Sequence, residues 1–184
     1  HLLIFQGAGI NVDRGAEEAV EAMKSIENAV LIFVGDGDVI PTLKQTVSAN
    51  NLSTKVLFFG KQPYERMMNF TFHADIGLTL DKDTNLNYKY SLPNKLFDYI
   101  HTSTPIVCTN LVEIRKVVDK YHLGMVLEEF SSEKLAITLN QLLSNDEQLT
   151  IFKENCKIAA QTEHWDKETE VLEEIYPSLN LKEQ

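Results

Sequence analysis

The chain has 184 residues, 43% of them hydrophobic and 24% charged, which is ordinary composition for a globular domain and enough length to bury one sizeable core. Its formal net charge of −10 speaks against a nucleic-acid backbone as partner, because such surfaces need a basic stripe. No apolar run nears the roughly 20 residues that span a bilayer, so a single domain over residues 1–184, without a membrane span and in the cytoplasm, is expected.

The opening His-Leu-Leu-Ile-Phe lacks the basic, apolar, small-residue order of a signal peptide. With His1 in place of an initiator Met and a buried-type strand already at Leu2, it reads as a segment of something longer. From there, apolar runs of strand length alternate with segments of helical period. The strands are expected at Leu2 to Gln6, Ala29 to Val34, Lys55 to Phe59, Ile76 to Leu80, Pro105 to Cys108 and Met125 to Leu127. Helices are expected between them, around Arg14 to Ile26, Asp38 to Asn50, Tyr64 to Phe72, Pro93 to His101 and Leu111 to Tyr121, with another opened by Ser131. That alternation is the pattern of a doubly wound, Rossmann-like α/β fold. Right-handed crossovers from a central first strand give a parallel six-stranded sheet in the order 3-2-1-4-5-6. After Asn145 the strand signal stops, leaving two extra helices, Asp146 to Gln161 and Asp166 to Tyr176, the second ended by Pro177.

The two cysteines, Cys108 and Cys156, form no CxxC pair and are expected as free thiols. The five histidines are scattered, as residues of surfaces or helix ends, and no cluster has metal-ligand spacing.

Four stretches could carry chemistry. In Gln6 to Gly15, a strand passes through Gly7 and Gly9 to a helix start beside Arg14, a turn that points backbone N–H groups and a cation at an anion. A third dinucleotide-type glycine is missing, since Val12 stands there, and a tight turn with an exposed Arg is the alternative. Val34 to Asp38, Val-Gly-Asp-Gly-Asp, reads first as turn chemistry. In Phe58 to Met67, Gly60 closes the third strand and Pro63 starts a helix. The most informative stretch is Tyr88 to Cys108. Ser91 is expected to cap a helix with Pro93 and Asn94 in its first turn, so that backbone amides and Lys95 face one anion. One turn on, Asp98 offers a carboxylate to two vicinal hydroxyls such as those of a ribose, against the alternative of a plain capped amphipathic helix. The polar loop Asp81 to Tyr90 follows a strand and is expected to contact a ligand.

In order and motif, these elements resemble the carboxyl-terminal domain of the group 1, or family 4, retaining glycosyltransferases of GT-B fold. The resemblance rests on Gly7 with Arg14-Gly15, on Val34-Gly35-Asp36-Gly37, on Pro93-Asn94-Lys95-Leu96-Phe97-Asp98-Tyr99 and on Pro105-Ile106-Val107. Glu113 and the Trp165, Leu172 and Tyr176 pattern extend it towards the end of the chain. It implies a domain that binds a nucleoside-diphosphate sugar of UDP or GDP type, with no cofactor and no metal. Arg14 and Lys95 would serve catalysis by neutralising the leaving diphosphate, and Asp98 would hold the ribose. Gly7, Gly9, Gly60, Tyr90, Ser91, Pro93 and Asn94 would line the donor. Tyr90 stands where many members carry a Glu against the sugar, and Ala8 where many carry an Arg, which leaves the phosphate charge mostly to Arg14 and Lys95. The resemblance further implies an absent amino-terminal acceptor domain, a role in envelope polysaccharide synthesis, and no transfer activity for this segment alone. Half of a sugar-nucleotide epimerase and a non-enzymatic nucleotide-binding module are the alternatives.

Overall fold

The computed structural model describes residues 1–176. Six parallel strands, β1 (Leu2–Gly7), β2 (Val30–Gly35), β3 (Val56–Phe58), β4 (Ile76–Thr79), β5 (Ile106–Thr109) and β6 (Gly124–Leu127), form one sheet in the order β3-β2-β1-β4-β5-β6. This is the expected doubly wound order. Among the described residues there are nine α-helices: α1 (Ala16–Ala22), α2 (Ile40–Ala49), α3 (Tyr64–Phe72), α4 (Leu86–Tyr90), α5 (Asn94–His101), α6 (Val112–Tyr121), α7 (Ser132–Leu143), α8 (Asp146–Ala159) and α9 (Trp165–Ile175).

The continuous apolar runs form central strands because both faces of the sheet are covered. Leu3 and Phe5 of β1 pack with Leu31, Phe33 and the apolar stripes of α1, α2 and α7 on one face. Ile4 packs with Ile32, Val34 and residues of α5, α6 and α8 on the other. Phe33 ties the first face together, its ring 5.3 Å from that of Phe5 and 5.0 Å from that of Phe58. Both cysteines are buried and free, Cys108 in β5 and Cys156 in α8.

Three local expectations need correction. The first helix starts at Ala16, not near Arg14, because Asp13 (φ 66°) and Gly15 (φ 78°) are both left-handed and break the helical path; it then tightens into a 3₁₀ turn at Met23–Ser25. The loop after β4 contains an unexpected short helix, α4, whose N-cap Asn85 accepts from the Tyr88 amide at 2.9 Å. Ser91 does not cap α5. It is the residue that ends α4, while Pro93 occupies the N-cap of α5 and has no side chain to offer the first amides. Ser131 and Asn145 do cap α7 and α8, accepting from Lys134 and Gln148.

Close approach demands glycine at Gly15 and Gly37, among others. A Cβ on Gly15 would lie 2.4 Å from the Leu80 carbonyl oxygen, on a backbone that is already left-handed. A Cβ on Gly37 would lie 2.0 Å from the Ile10 carbonyl oxygen, so the loops after β1 and β2 can touch only because that side chain is missing. The contact is bonded as well as close: Ile10 N–H donates to Asp36 O at 2.9 Å, and Val12 N–H to the Asp38 carboxylate at 3.1 Å. The Val-Gly-Asp-Gly-Asp stretch therefore acts as a turn that buttresses the glycine loop, as its first reading had it.

The final helices lie outside the sheet. None of the residues of α9 is buried, and Trp165 is 71% exposed. Pro177 lies outside the described residues.

Replacing Gly15 with Ala should lower stability by about 1–3 kcal/mol, through left-handed strain and the clash with Leu80. Urea unfolding would measure it, and an unchanged midpoint would show that the loop relaxes freely.

Candidate functional site

Strand order reverses between β1 and β4, so the chain leaves their carboxyl ends in opposite directions and a crevice opens there. Arg14, from the β1–α1 loop, reaches across it. Its Nη1 donates to Asp81 Oδ1 at 3.0 Å, and its guanidinium lies 4.2 Å from the centroid of the Tyr88 ring, on α4. Its Nε is buried without a partner.

Lys95 enters the same crevice from the first turn of α5, with Nζ 4.7 Å from the centroid of the Phe5 ring. Its pKa is lowered by desolvation, an effect that the Asp81 carboxylate opposes and Arg14 reinforces. The two basic residues expected at the phosphate position thus stand close enough to feel one another, at the start of an uncapped helix. A cation that has lost part of its hydration gains most from an anionic ligand.

Asp98, one turn along α5 and only 9% exposed, is held from both sides. Its Oδ2 accepts from Gln6 Nε2 at 2.8 Å and its Oδ1 from the Tyr64 hydroxyl at 2.9 Å. Gln6 in turn accepts from the Thr71 hydroxyl. Burial raises the pKa of Asp98 even against these two bonds, which lower it. The carboxylate borders a cavity of about 560 Å³ lined also by Tyr64, Asn94, Phe97, His101 and Trp165. Each oxygen retains a lone pair beyond its protein donor, so a diol in that cavity could still bind.

Of the other expected site residues, Gly7 ends β1 and Gly9 lies in the loop after it. Gly60 follows β3, left-handed at φ 64°, and its carbonyl accepts from Gly35. Tyr90 stands exposed at the end of α4. The internal histidines, His73, His101, His122 and His164, each sit in the last turn of a helix or cap one. Four participants have no role marked individually by the sequence: Gln6, Tyr64, Asp81 and Tyr88. Asp81 and Tyr88 fall in the polar loop expected to contact a ligand, and Gln6 and Tyr64 in the stretches Gln6 to Gly15 and Phe58 to Met67, but the last two act through a partner 92 and 34 positions away.

The family model of the glycosyl transferases group 1 matches residues 3–159. The chain belongs to that family. Solved structures share its fold at low identity. A sucrose-phosphate synthase from Thermosynechococcus elongatus is 16% identical with a TM-score of 0.83, over 96% of this chain and 45% of that one. HepE from Anabaena in complex with UDP is 16% identical with a TM-score of 0.79, over 97% and 49%. The C-terminal domain of a group 1 family protein, LpcC from Francisella tularensis, is 16% identical with a TM-score of 0.69, over 88% and 84%. This group 1 chain spans about half the length of the first two. No curated protein matches it by sequence. Among the described residues no helix is long and apolar enough to cross a membrane, and no group of three or more His, Cys, Asp or Glu is placed to hold a metal.

Because the folded-state pKa of Asp98 is raised, its protonated form is favoured in the fold: that contribution is whole below the ordinary aspartate pKa and is lost as pH rises through the raised value. Asp98→Asn should therefore match the unmodified chain below the ordinary aspartate range and become the more stable of the two as pH rises through the raised value. Asp98→Ala should lose about 1–3 kcal/mol, since it strands the buried Gln6 amide. Thermal unfolding of both variants across pH 4–8 would show the contrast; equal losses for Asn and Ala would count against it.

Proposed function

We propose that this domain is the donor-binding half of a glycosyltransferase that moves a sugar from a nucleoside diphosphate to an acceptor hydroxyl. The observation that carries the reading is the convergence of Arg14 and Lys95 at the switch point, one helical turn from the cavity-lining carboxylate of Asp98. The HepE structures in complex with UDP and with UDP-glucose support a UDP-type donor. GDP is the alternative to be tested beside it.

In this reading the diphosphate lies over the Gly7–Arg14 loop and the uncapped start of α5, with the nucleoside towards Asp98. The bond between the anomeric carbon and the diphosphate oxygen breaks, its electron pair staying on that oxygen. A bond forms from the acceptor oxygen to the same carbon, and the acceptor proton passes to the departing phosphate or to solvent. Arg14, Lys95 and the uncapped start of α5 stabilise the charge that develops on the leaving group, in place of a metal ion or cofactor. The short Asp98 side chain is positioned for the ribose by Gln6 and Tyr64. The acceptor site belongs to a second domain, absent from this segment, which the exposed α9 would adjoin. We place the enzyme in the cytoplasm, where two buried thiols stay reduced, and in polysaccharide synthesis of the cell envelope.

Each charge-assisted contact is worth roughly 1.5–3 kcal/mol, so Arg14→Ala and Lys95→Ala should each weaken nucleoside-diphosphate binding by about tenfold to a hundredfold. Asp98→Ala should weaken ribonucleotides while leaving inorganic pyrophosphate nearly unaffected. Calorimetry with UDP, GDP and pyrophosphate tests all three; affinities untouched by the Arg14 and Lys95 changes would remove the diphosphate site.

The segment alone should bind donor without transferring sugar. Radiolabel transfer assays with UDP and GDP sugars and a panel of acceptor alcohols would check this, and turnover above the uncatalysed rate would contradict it.

A further inference from the structure

A diphosphate site would be expected to hold cations alone, yet this crevice also holds a carboxylate. Asp81 follows β4, is only 2% exposed, and is fixed at its main chain, where its carbonyl accepts from the Thr109 hydroxyl at 2.6 Å. Its side chain is 4% exposed. Its Oδ1 takes one bond from Arg14 Nη1, and its charge also reaches Lys95. Arg14 is incompletely satisfied by this arrangement, since its buried Nε has no acceptor. A phosphate that offers oxygens to the guanidinium fork therefore competes with Asp81 for the same cation, and does so beside a buried negative charge.

The competition is unequal for the two ligands that a sugar transferase must handle. In the donor each phosphate is esterified on both sides of the diphosphate and carries a single charge. In the product the terminal phosphate gains a second ionisation with a pKa near 6, so it is more negative at pH 7.5. We propose that Asp81 is a fixed counter-charge that weakens the nucleoside-diphosphate product more than the sugar-nucleotide donor, and so speeds release of the product after transfer. The inference rests on the donor-site reading above. Beyond that reading, it assigns a specificity role to a residue that touches Arg14 and makes no bond to the sugar.

The test compares the 184-residue chain with Asp81→Asn, which keeps an oxygen for Arg14 and removes only the charge. Both are titrated calorimetrically at pH 7.5 with UDP and UDP-glucose, and with GDP and GDP-mannose. Asp81→Asn should tighten the diphosphate by about tenfold and its sugar ester by about threefold or less, narrowing the preference for donor. A second ligand isolates the charge. UDP methylated on its terminal phosphate, which lacks the second ionisation, should gain no more from Asp81→Asn than UDP-glucose does. Unchanged or weaker UDP affinity in Asp81→Asn, or a methyl ester that gains as much as UDP, would overturn the proposal and leave Asp81 as a prop for Arg14, with the donor site intact. If the unmodified chain binds none of these ligands, the donor-site reading falls, and the proposal with it.

Discussion

β1 is paired on both sides, with β2 in full register and with β4, and this constraint shapes everything at the carboxyl end of the sheet. The connections that leave β1 and β4 must part to opposite faces, so the space between them cannot be closed by the chain itself. Arg14 and Asp81 meet across it as the two lips of that opening, and Lys95 arrives from a helix packed on the neighbouring face. The cations are therefore held by topology, Arg14 on the loop that leaves β1 and Lys95 on α5.

The proposed diphosphate site, in a chain of net charge −10, has to confine its positive potential to short range. At physiological salt, charges more than about 8 Å apart are largely screened, so acids beyond that distance matter little to a ligand already inside the crevice. The groups that decide are the near ones, among them the Arg14 and Lys95 cations and the Asp81 carboxylate. Tyr88 adds a polarisable ring against the Arg14 face, which steadies the guanidinium without adding charge.

The fold was legible because apolar runs of strand length are separated by helical stripes, and both faces of such a sheet must be covered. All six strands lie within a residue or so of where the pattern puts them. The site was legible only where local chemistry marks it. Arg14 and Lys95 stand beside a glycine turn and a proline helix start, features that composition and spacing expose. Ser91 misled because a serine before Pro93 has the composition of a cap, whereas Asn85 had already started a five-residue helix that ends there. Gln6 and Tyr64 fall in stretches that glycine turns mark, but their role exists only once β1, α3 and α5 are packed together.

The pairing of the loops after β1 and β2 has a consequence for anyone reading mutational data. Gly37 lies outside the crevice and offers a ligand no side chain, yet any larger residue there must push Ile10 and with it the turn that carries Arg14. In a saturation screen scored on activity, position 37 would rank with the ligand-contacting residues. A map of sensitive positions would then draw the site too wide, marking supports together with contacts, and only a separate readout of folded abundance would tell one from the other.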